Sequence, residues 1–251
     1  MHDQSHMRLF GLVGFPLTHS WSGNYFTEKF KREGLDNCRY ELFPVFSADE
    51  LKNILWNHPS LEGLNVTIPH KRDIIRQLDS HENIPVSINA CNCIRIKEGK
   101  LSGYNTDWIG FEKSLVPLLM PHHKEALVLG NGGSAAAVIY VLKKLGITYQ
   151  LVSRKLHDQS TLTYKDIDER MIKRALLIIN TSPVGMYPET GSCPDIPYQF
   201  LGDQHLLYDL IYNPSKTLFL QKGEEHGATI KNGEEMLVLQ AEESWKIWNS
   251  G

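Results

Sequence analysis

Short apolar runs alternate along the whole chain with stretches in which apolar positions recur at spacings of three and four. The runs at 8–13, 40–44, 63–67, 93–97, 126–129, 149–152, 176–180 and 206–209 predict strands, being brief, apolar and bounded by turn residues. The stretches at 22–33, 47–57, 70–78, 107–119, 134–145, 164–174, 214–226 and 234–248 predict helices with one buried face. Such alternation is the pattern of an α/β protein whose strands are largely parallel. No internal repeat or low-complexity tract interrupts it, which removes solenoid and fibrous architectures.

Composition narrows the partners more than the fold. With 251 residues, 41% hydrophobic and 22% charged, the chain suits one large domain or two smaller ones. No run approaches the ~18 to 20 consecutive apolar residues of a spanning helix, and the opening MHDQSHM lacks the apolar segment of a signal peptide, so a cytoplasmic protein is expected. Residues 1–6 carry no pattern, as a frayed start or a cloning remnant would, and the fold is expected to begin near Met7. A net charge of −3 offers no field to gather nucleic acid or an anionic membrane, which points to a small-molecule partner. Cys38, Cys91, Cys93 and Cys193 are too few and too irregular for a disulfide scaffold and are expected to be free, buried thiols. Eleven histidines without an HExxH pair give no reason to assign a metal. The composition shift at 117–124, with Pro117, Pro121, His122 and His123, suggests a nearby domain boundary. Nothing chooses between a monomer and a homodimer.

The strongest local signal follows the apolar run at 126–129. Gly130-Asn131-Gly132-Gly133-Ser134-Ala135 stands between that strand and a helix, in the order a dinucleotide-binding turn requires. Gly130 would make the tight turn, Gly132 would let the backbone approach a pyrophosphate, and small Ala135 would let helix and strand pack closely. An acidic residue at the end of the next strand would select the ribose of NAD. Here that strand ends in Ser153-Arg154-Lys155, and a guanidinium beside an ammonium suits the 2′-phosphate of NADP. The alternative is a plain glycine-rich loop followed by two solvated basic residues.

A second set of polar residues lies upstream, where a dinucleotide fold has no use for it. In Gly14-Phe15-Pro16-Leu17-Thr18-His19-Ser20-Trp21-Ser22, the hydroxyls of Ser20 and Ser22 stand where they can cap a helix or hold a ligand. Asn65-Val66-Thr67-Ile68-Pro69-His70-Lys71 leaves another strand, and Pro69 puts Lys71 near a helix start, where the positive end of the dipole disfavours a purely structural cation. Asn92 and the string Gly103-Tyr104-Asn105-Thr106-Asp107 follow.

Together these strings resemble the shikimate dehydrogenase family over most of the chain, from about residue 7 to residue 244. HSWS resembles its serine motif, NVTIPHK its lysine motif and GYNTD its aspartate motif; NTSPVGMYP at 180–188, DLIYNPSKT at 209–217 and NGEEMLVLQ at 232–240 are similar to its cofactor-side and C-terminal signatures. The resemblance implies an N-terminal α/β substrate (catalytic) domain over 7–107, a Rossmann-like NADP-binding domain over 108–233 with a cleft between the two, and a C-terminal helix, 234–251, packing back on the first domain. It implies that Ser20, Ser22, Thr67, Asn92 and Gln240 bind the hydroxyls or carboxylate of shikimate with Tyr212 close by, that Lys71 and Asp107 form the catalytic pair, and that NADP occupies the glycine turn and the Ser153-Arg154-Lys155 corner. Two departures stand out: Gly23-Asn24-Tyr25-Phe26 follows the serine motif where the family often has a proline and then His-Asn, and SRK replaces the usual NRT, with Asp158 where another arginine is common.

The implied chemistry is hydride transfer between a ring carbinol of shikimate and NADP, with a base taking the hydroxyl proton. Lys71 can accept that proton only as a neutral amine, while a carboxylate at Asp107 favours the ammonium, so the two would titrate as a unit. A quinate/shikimate dehydrogenase with relaxed cofactor choice is the nearer alternative, and a dinucleotide-binding sensor without turnover the more distant one. A sensor has no need of both Lys71 and Asp107.

Overall fold

The computed structural model describes residues 7–18, 20–155 and 162–250. The N-terminal residues 1–6, His19 of the serine motif and Asp158 lie outside the described residues. The chain forms two compact units, one running to Thr106 and taking in the C-terminal stretch from Ala241, the other Asp107–Gln240. Each has its own six-stranded sheet.

In the first unit the strands are β1 (Arg8–Gly14), β2 (Cys38–Pro44), β3 (Leu61–Val66), β4 (Ser80–Asn83), β5 (Cys93–Lys97) and β6 (Lys100–Tyr104), ordered β2-β1-β3-β5-β6-β4. β1 pairs parallel with β2 and β3, but β5 runs antiparallel to both β3 and β6, so this sheet is mixed and not largely parallel. The reason lies in Glu98-Gly99: Glu98 (φ 52°) and Gly99 (φ 74°) turn left-handed and close a two-residue hairpin between β5 and β6, leaving no room for a crossover helix. Helices α1 (Trp21–Arg32) and α2 (Leu51–Asn57) complete the unit.

The helix expected at 70–78 is instead a 3-10 turn, Asp73–Gln77. It follows the cis Ile68–Pro69 peptide and buries only Ile74, too little apolar surface to sustain an α-helix. The dipole argument for Lys71 therefore fails, since so short a turn aligns few peptides.

In the second unit the strands are β7 (Glu125–Leu129), β8 (Thr148–Ser153), β9 (Leu162–Thr163), β10 (Leu177–Asn180), β11 (Leu206–Asp209) and β12 (Thr229–Lys231), all parallel and ordered β12-β11-β10-β7-β8-β9. Read from the other edge this is the 3-2-1-4-5-6 order of a doubly wound dinucleotide fold, whose direction reverses between β7 and β10. Its helices are α3 (Asp107–Leu115), α4 (Gly133–Lys144), α5 (Glu169–Arg174) and α6 (Leu218–Glu225). The proline-containing stretch 117–124 lies within this unit, because Phe111 and Leu115 of α3 are buried in the same core as Val128 and Val138. The last helix, α7 (Glu234–Trp248), begins in the second unit and ends in the first.

Within the first unit the C-terminal half of α7 anchors an aromatic cluster. Trp248 stacks on Phe10 at 4.9 Å, Trp245 meets it edge-on at 5.2 Å, and the Trp248 indole N–H donates to the Ile94 carbonyl at 3.0 Å. Burying rings of this size stabilises by on the order of 2 to 3 kcal/mol each. Beside them Lys29, 3% exposed, is neutralised by Glu33 at 2.8 Å and Glu242 at 2.9 Å, and Tyr25 donates to the same Glu242 carboxylate.

Candidate active site

The first unit gathers its predicted ligand groups beyond the C-terminal ends of β1 and β3. Ser20 caps α1, its Oγ accepting the Gly23 N–H at 3.3 Å, so the unusual residues after the serine motif still start a helix. Ser22 is half-buried in the first turn of α1. Burial holds the Tyr40 hydroxyl well above the ordinary tyrosine range, keeping it protonated. Tyr40 donates to Asn65 Oδ1 at 2.9 Å, and Asn65 Nδ2 donates in turn to the Asn92 carbonyl at 3.2 Å and to Ser244 Oγ at 2.9 Å. Tyr40 and Asn65 thus form a bonded chain to the Asn92 backbone, a link not expected from the sequence. Only the polar Asn65 in an apolar strand, 5% exposed, could have signalled it.

Asn92 is itself buried. Its Oδ1 accepts the Thr106 N–H at 2.6 Å and its Nδ2 donates to Thr106 Oγ1 at 3.0 Å, which fixes the amide's orientation. Thr67 continues β3 through its N–H to the Val13 carbonyl at 2.9 Å. Lys71 is half-buried; its carbonyl accepts the Cys91 N–H at 2.7 Å, and the preceding His70 ring is tied to the Val45 carbonyl at 2.8 Å. The backbone on both sides of the Lys71 side chain is therefore held.

The other predicted groups belong to the second unit. Asp107 opens α3, where a carboxylate complements the helix dipole. Gln240 is 8% exposed, and its Nε2 donates to the Leu237 carbonyl one turn back at 2.8 Å. Tyr212 is half-buried in the loop between β11 and α6.

The glycine turn sits where the second sheet reverses direction. Gly130 has φ 106°, and a Cβ there would come within 3.0 Å of the Ser182 backbone nitrogen, so both conformation and space require glycine. Across the switch point Thr181 Oγ1 donates to the carbonyls of Leu129 and Gly130 at 3.0 and 2.9 Å, locking the loops after β7 and β10 together. Gly132 is the N-cap of α4 and supplies no side-chain cap, and neither Gly132 nor Gly133 has any atom within 4 Å of where a Cβ would stand. Ala135 is buried against the sheet, while Asn131, Gly133 and Ser134 are exposed.

A cavity of about 740 Å³ opens at this turn, lined by Gly130, Gly132, Arg154, Tyr164, Lys165 and Ser182 among others. Ser153 also lines it but is 3% exposed, and its hydroxyl donates to the Lys155 carbonyl, so it shapes the corner. Lys155 is exposed and is not among the lining residues. Tyr164, Lys165, Thr181 and Ser182 were not picked out from the sequence, although the NTSPVG string marked the last two as cofactor-side. A pyrophosphate needs an open approach to unpaired helix N–H groups, and a dinucleotide needs a cavity of this size; the uncapped start of α4, the open glycines and the cationic corner fit NADP.

The family model of the shikimate dehydrogenase substrate binding domain matches residues 12–94. A protein of Aquifex aeolicus named shikimate dehydrogenase (NADP(+)) is 38% identical over 253 residues, which cover 96% of this chain and 91% of that one. Among solved structures, shikimate 5-dehydrogenase from Listeria monocytogenes in complex with shikimate and NAD superposes with a TM-score of 0.87 at 27% identity, covering 99% of this chain and 93% of that one. The enzyme from Thermus thermophilus in complex with NADP(H) and shikimate gives a TM-score of 0.84 at 26% identity, covering 97% and 94%. With its two sheets, its glycine turn and this full-length likeness, the chain belongs to the shikimate dehydrogenase family.

Proposed function

We propose that this protein interconverts shikimate and 3-dehydroshikimate with NADP, within aromatic amino-acid biosynthesis. The observation that carries the reading is likeness along nearly the whole chain to proteins named NADP-dependent shikimate dehydrogenase. NADP, when bound, supplies the acceptor or donor of the hydride. Gly130, Gly132 and the first turn of α4 would hold its pyrophosphate, and Arg154 its 2′-phosphate.

Lys71 Nζ takes the proton from the reacting hydroxyl oxygen in oxidation and returns it to the developing alkoxide in reduction. Asp107 accepts a hydrogen bond from the same hydroxyl and orients it. Ser20, Ser22, Thr67, Asn92 and Gln240 hold the carboxylate and the remaining hydroxyls, with Tyr212 beside the ring. A site that bonds each hydroxyl discriminates against analogues lacking one, because its own polar groups are then left unpaired. The Tyr40–Asn65–Asn92 chain and the paired bonds with Thr106 support this role by holding the Asn92 backbone and amide in a fixed orientation.

The partners on this reading are small molecules, since a net charge of −3 offers no field to gather nucleic acid or an anionic membrane. No helix among the described residues is long and apolar enough to cross a bilayer. The reading places the protein in the cytoplasm as a monomer or homodimer. It is tested by incubating the purified chain with 3-dehydroshikimate and NADPH and identifying the product by NMR. Stoichiometric shikimate is expected; unchanged 3-dehydroshikimate would overturn it.

A further inference from the structure

We propose that Lys165 supplies a second cation for the 2′-phosphate of the cofactor, together with Arg154, and so sets the preference for a phosphorylated dinucleotide. This rests on the NADP reading above.

The parallel register of β8 and β9 pairs Ser153 with Thr163. The chain therefore leaves both strands side by side in the same direction, with Arg154 one residue beyond the first and Lys165 two beyond the second. The segment carrying Lys165 is a built turn. The Thr163 N–H and Oγ1 both donate to Asp166 Oδ2 at 2.7 Å, closing a capping box around Tyr164–Asp166. That box also occupies the carboxylate nearest to Lys165 in the chain.

Arg154 and Lys165 line the same cavity, and among the described residues neither makes an ion pair. One carboxylate, Asp195, also lines the cavity. Tyr164, which precedes Lys165, lines the same cavity, and its hydroxyl feels the Arg154 charge. Two cations lining one cavity, with no ion pair to either among the described residues, repel each other unless an anion lies between them, and a 2′-phosphate carries nearly two negative charges where the ribose of NAD carries none. The position is one that charge spacing along the sequence does not reveal, since residues 156–161 separate the two strands.

The test is calorimetric titration of the full chain with adenosine 2′,5′-bisphosphate and with 5′-AMP, for the parent protein, Lys165→Gln and Lys165→Arg. The parent is expected to bind the bisphosphate more tightly. Lys165→Gln should lose about tenfold for the bisphosphate and nothing for 5′-AMP, Lys165→Arg should restore it, and the salt dependence of bisphosphate binding should flatten in Lys165→Gln. Equal losses for both nucleotides, or no loss for either, overturn the assignment of Lys165 while leaving the cofactor reading intact. A parent protein that does not distinguish the two nucleotides overturns the cofactor reading itself, and the assignment with it.

Discussion

Asn180 Nδ2 donates to Asp209 Oδ1 at 3.0 Å, and this bond decides which way the Asn180 amide faces. With its nitrogen committed to Asp209, Asn180 turns its oxygen to Ser182, accepting the backbone N–H at 3.0 Å and the hydroxyl at 2.6 Å. A buried carboxylate thereby orients a wall of the cavity at the glycine turn, two residues further on.

Burial pushes the Asp209 carboxyl up to about 6, against the opposing bonds from Thr217, Ile211 and Asn180. A carboxyl raised from its ordinary 3.8 favours the folded state fully below that value and loses the contribution as pH rises through about 6. Asp209→Asn removes the ionisation while Thr217 can rotate to accept a bond from the new amide. Thermal unfolding from about pH 4 to about pH 7 should show the variant gaining on the parent by on the order of 1 to 3 kcal/mol as pH rises. A constant difference across that range contradicts the shift.

The two glycines of the turn should separate stability from binding. Gly130→Ala adds a methyl against Ser182 at a left-handed position and should lower the melting temperature. Gly132→Ala adds it to open space at an ordinary φ of −74° and should leave the free protein within about 0.5 kcal/mol of the parent while weakening NADP at least tenfold. Unaltered NADP binding by Gly132→Ala would mean that the backbone there is not approached by the pyrophosphate.

Cys193 is half-buried and lines the cavity at the glycine turn, whereas Cys38, Cys91 and Cys93 are buried. An alkylating reagent added to the folded protein should therefore modify Cys193 first, and saturating NADP should slow the reaction. Peptide mass mapping with and without cofactor reads the outcome; labelling at the same rate in both places NADP elsewhere.

The legible elements were those whose own residues carry the reason for their structure. β7 is apolar from Ala126 to Leu129 and runs straight into glycines, and α7 spans the predicted 234–248 because its apolar positions keep one period. β4 was missed because Ser80-His81-Glu82-Asn83 is a polar, mostly exposed edge strand, and β12 because it has three residues. Predicted helices shortened where a local cap outcompeted the pattern: the Thr163–Asp166 box ends two residues before Asp168 caps α5, and Thr217 caps α6 three residues beyond Pro214. At the site, motif residues could be named in advance, but Tyr40, Asn65 and Lys165 take their places from strand pairing between distant segments.

Lys71→Ala should lower kcat by about 10² to 10⁴ with a much smaller change in KM for shikimate, as loss of a general acid-base group does. A variant that keeps kcat and loses only binding would make Lys71 a ligand-positioning residue.

The most direct measurement is kcat/KM for formation of the reduced nicotinamide, taken with shikimate and with quinate, each paired with NADP and with NAD. The account predicts turnover of shikimate with NADP at least tenfold above every other pairing, in keeping with Arg154 and Lys165 at the cavity and hydroxyl-matched groups around the ring. Equal or higher turnover with NAD, or with quinate, would contradict it.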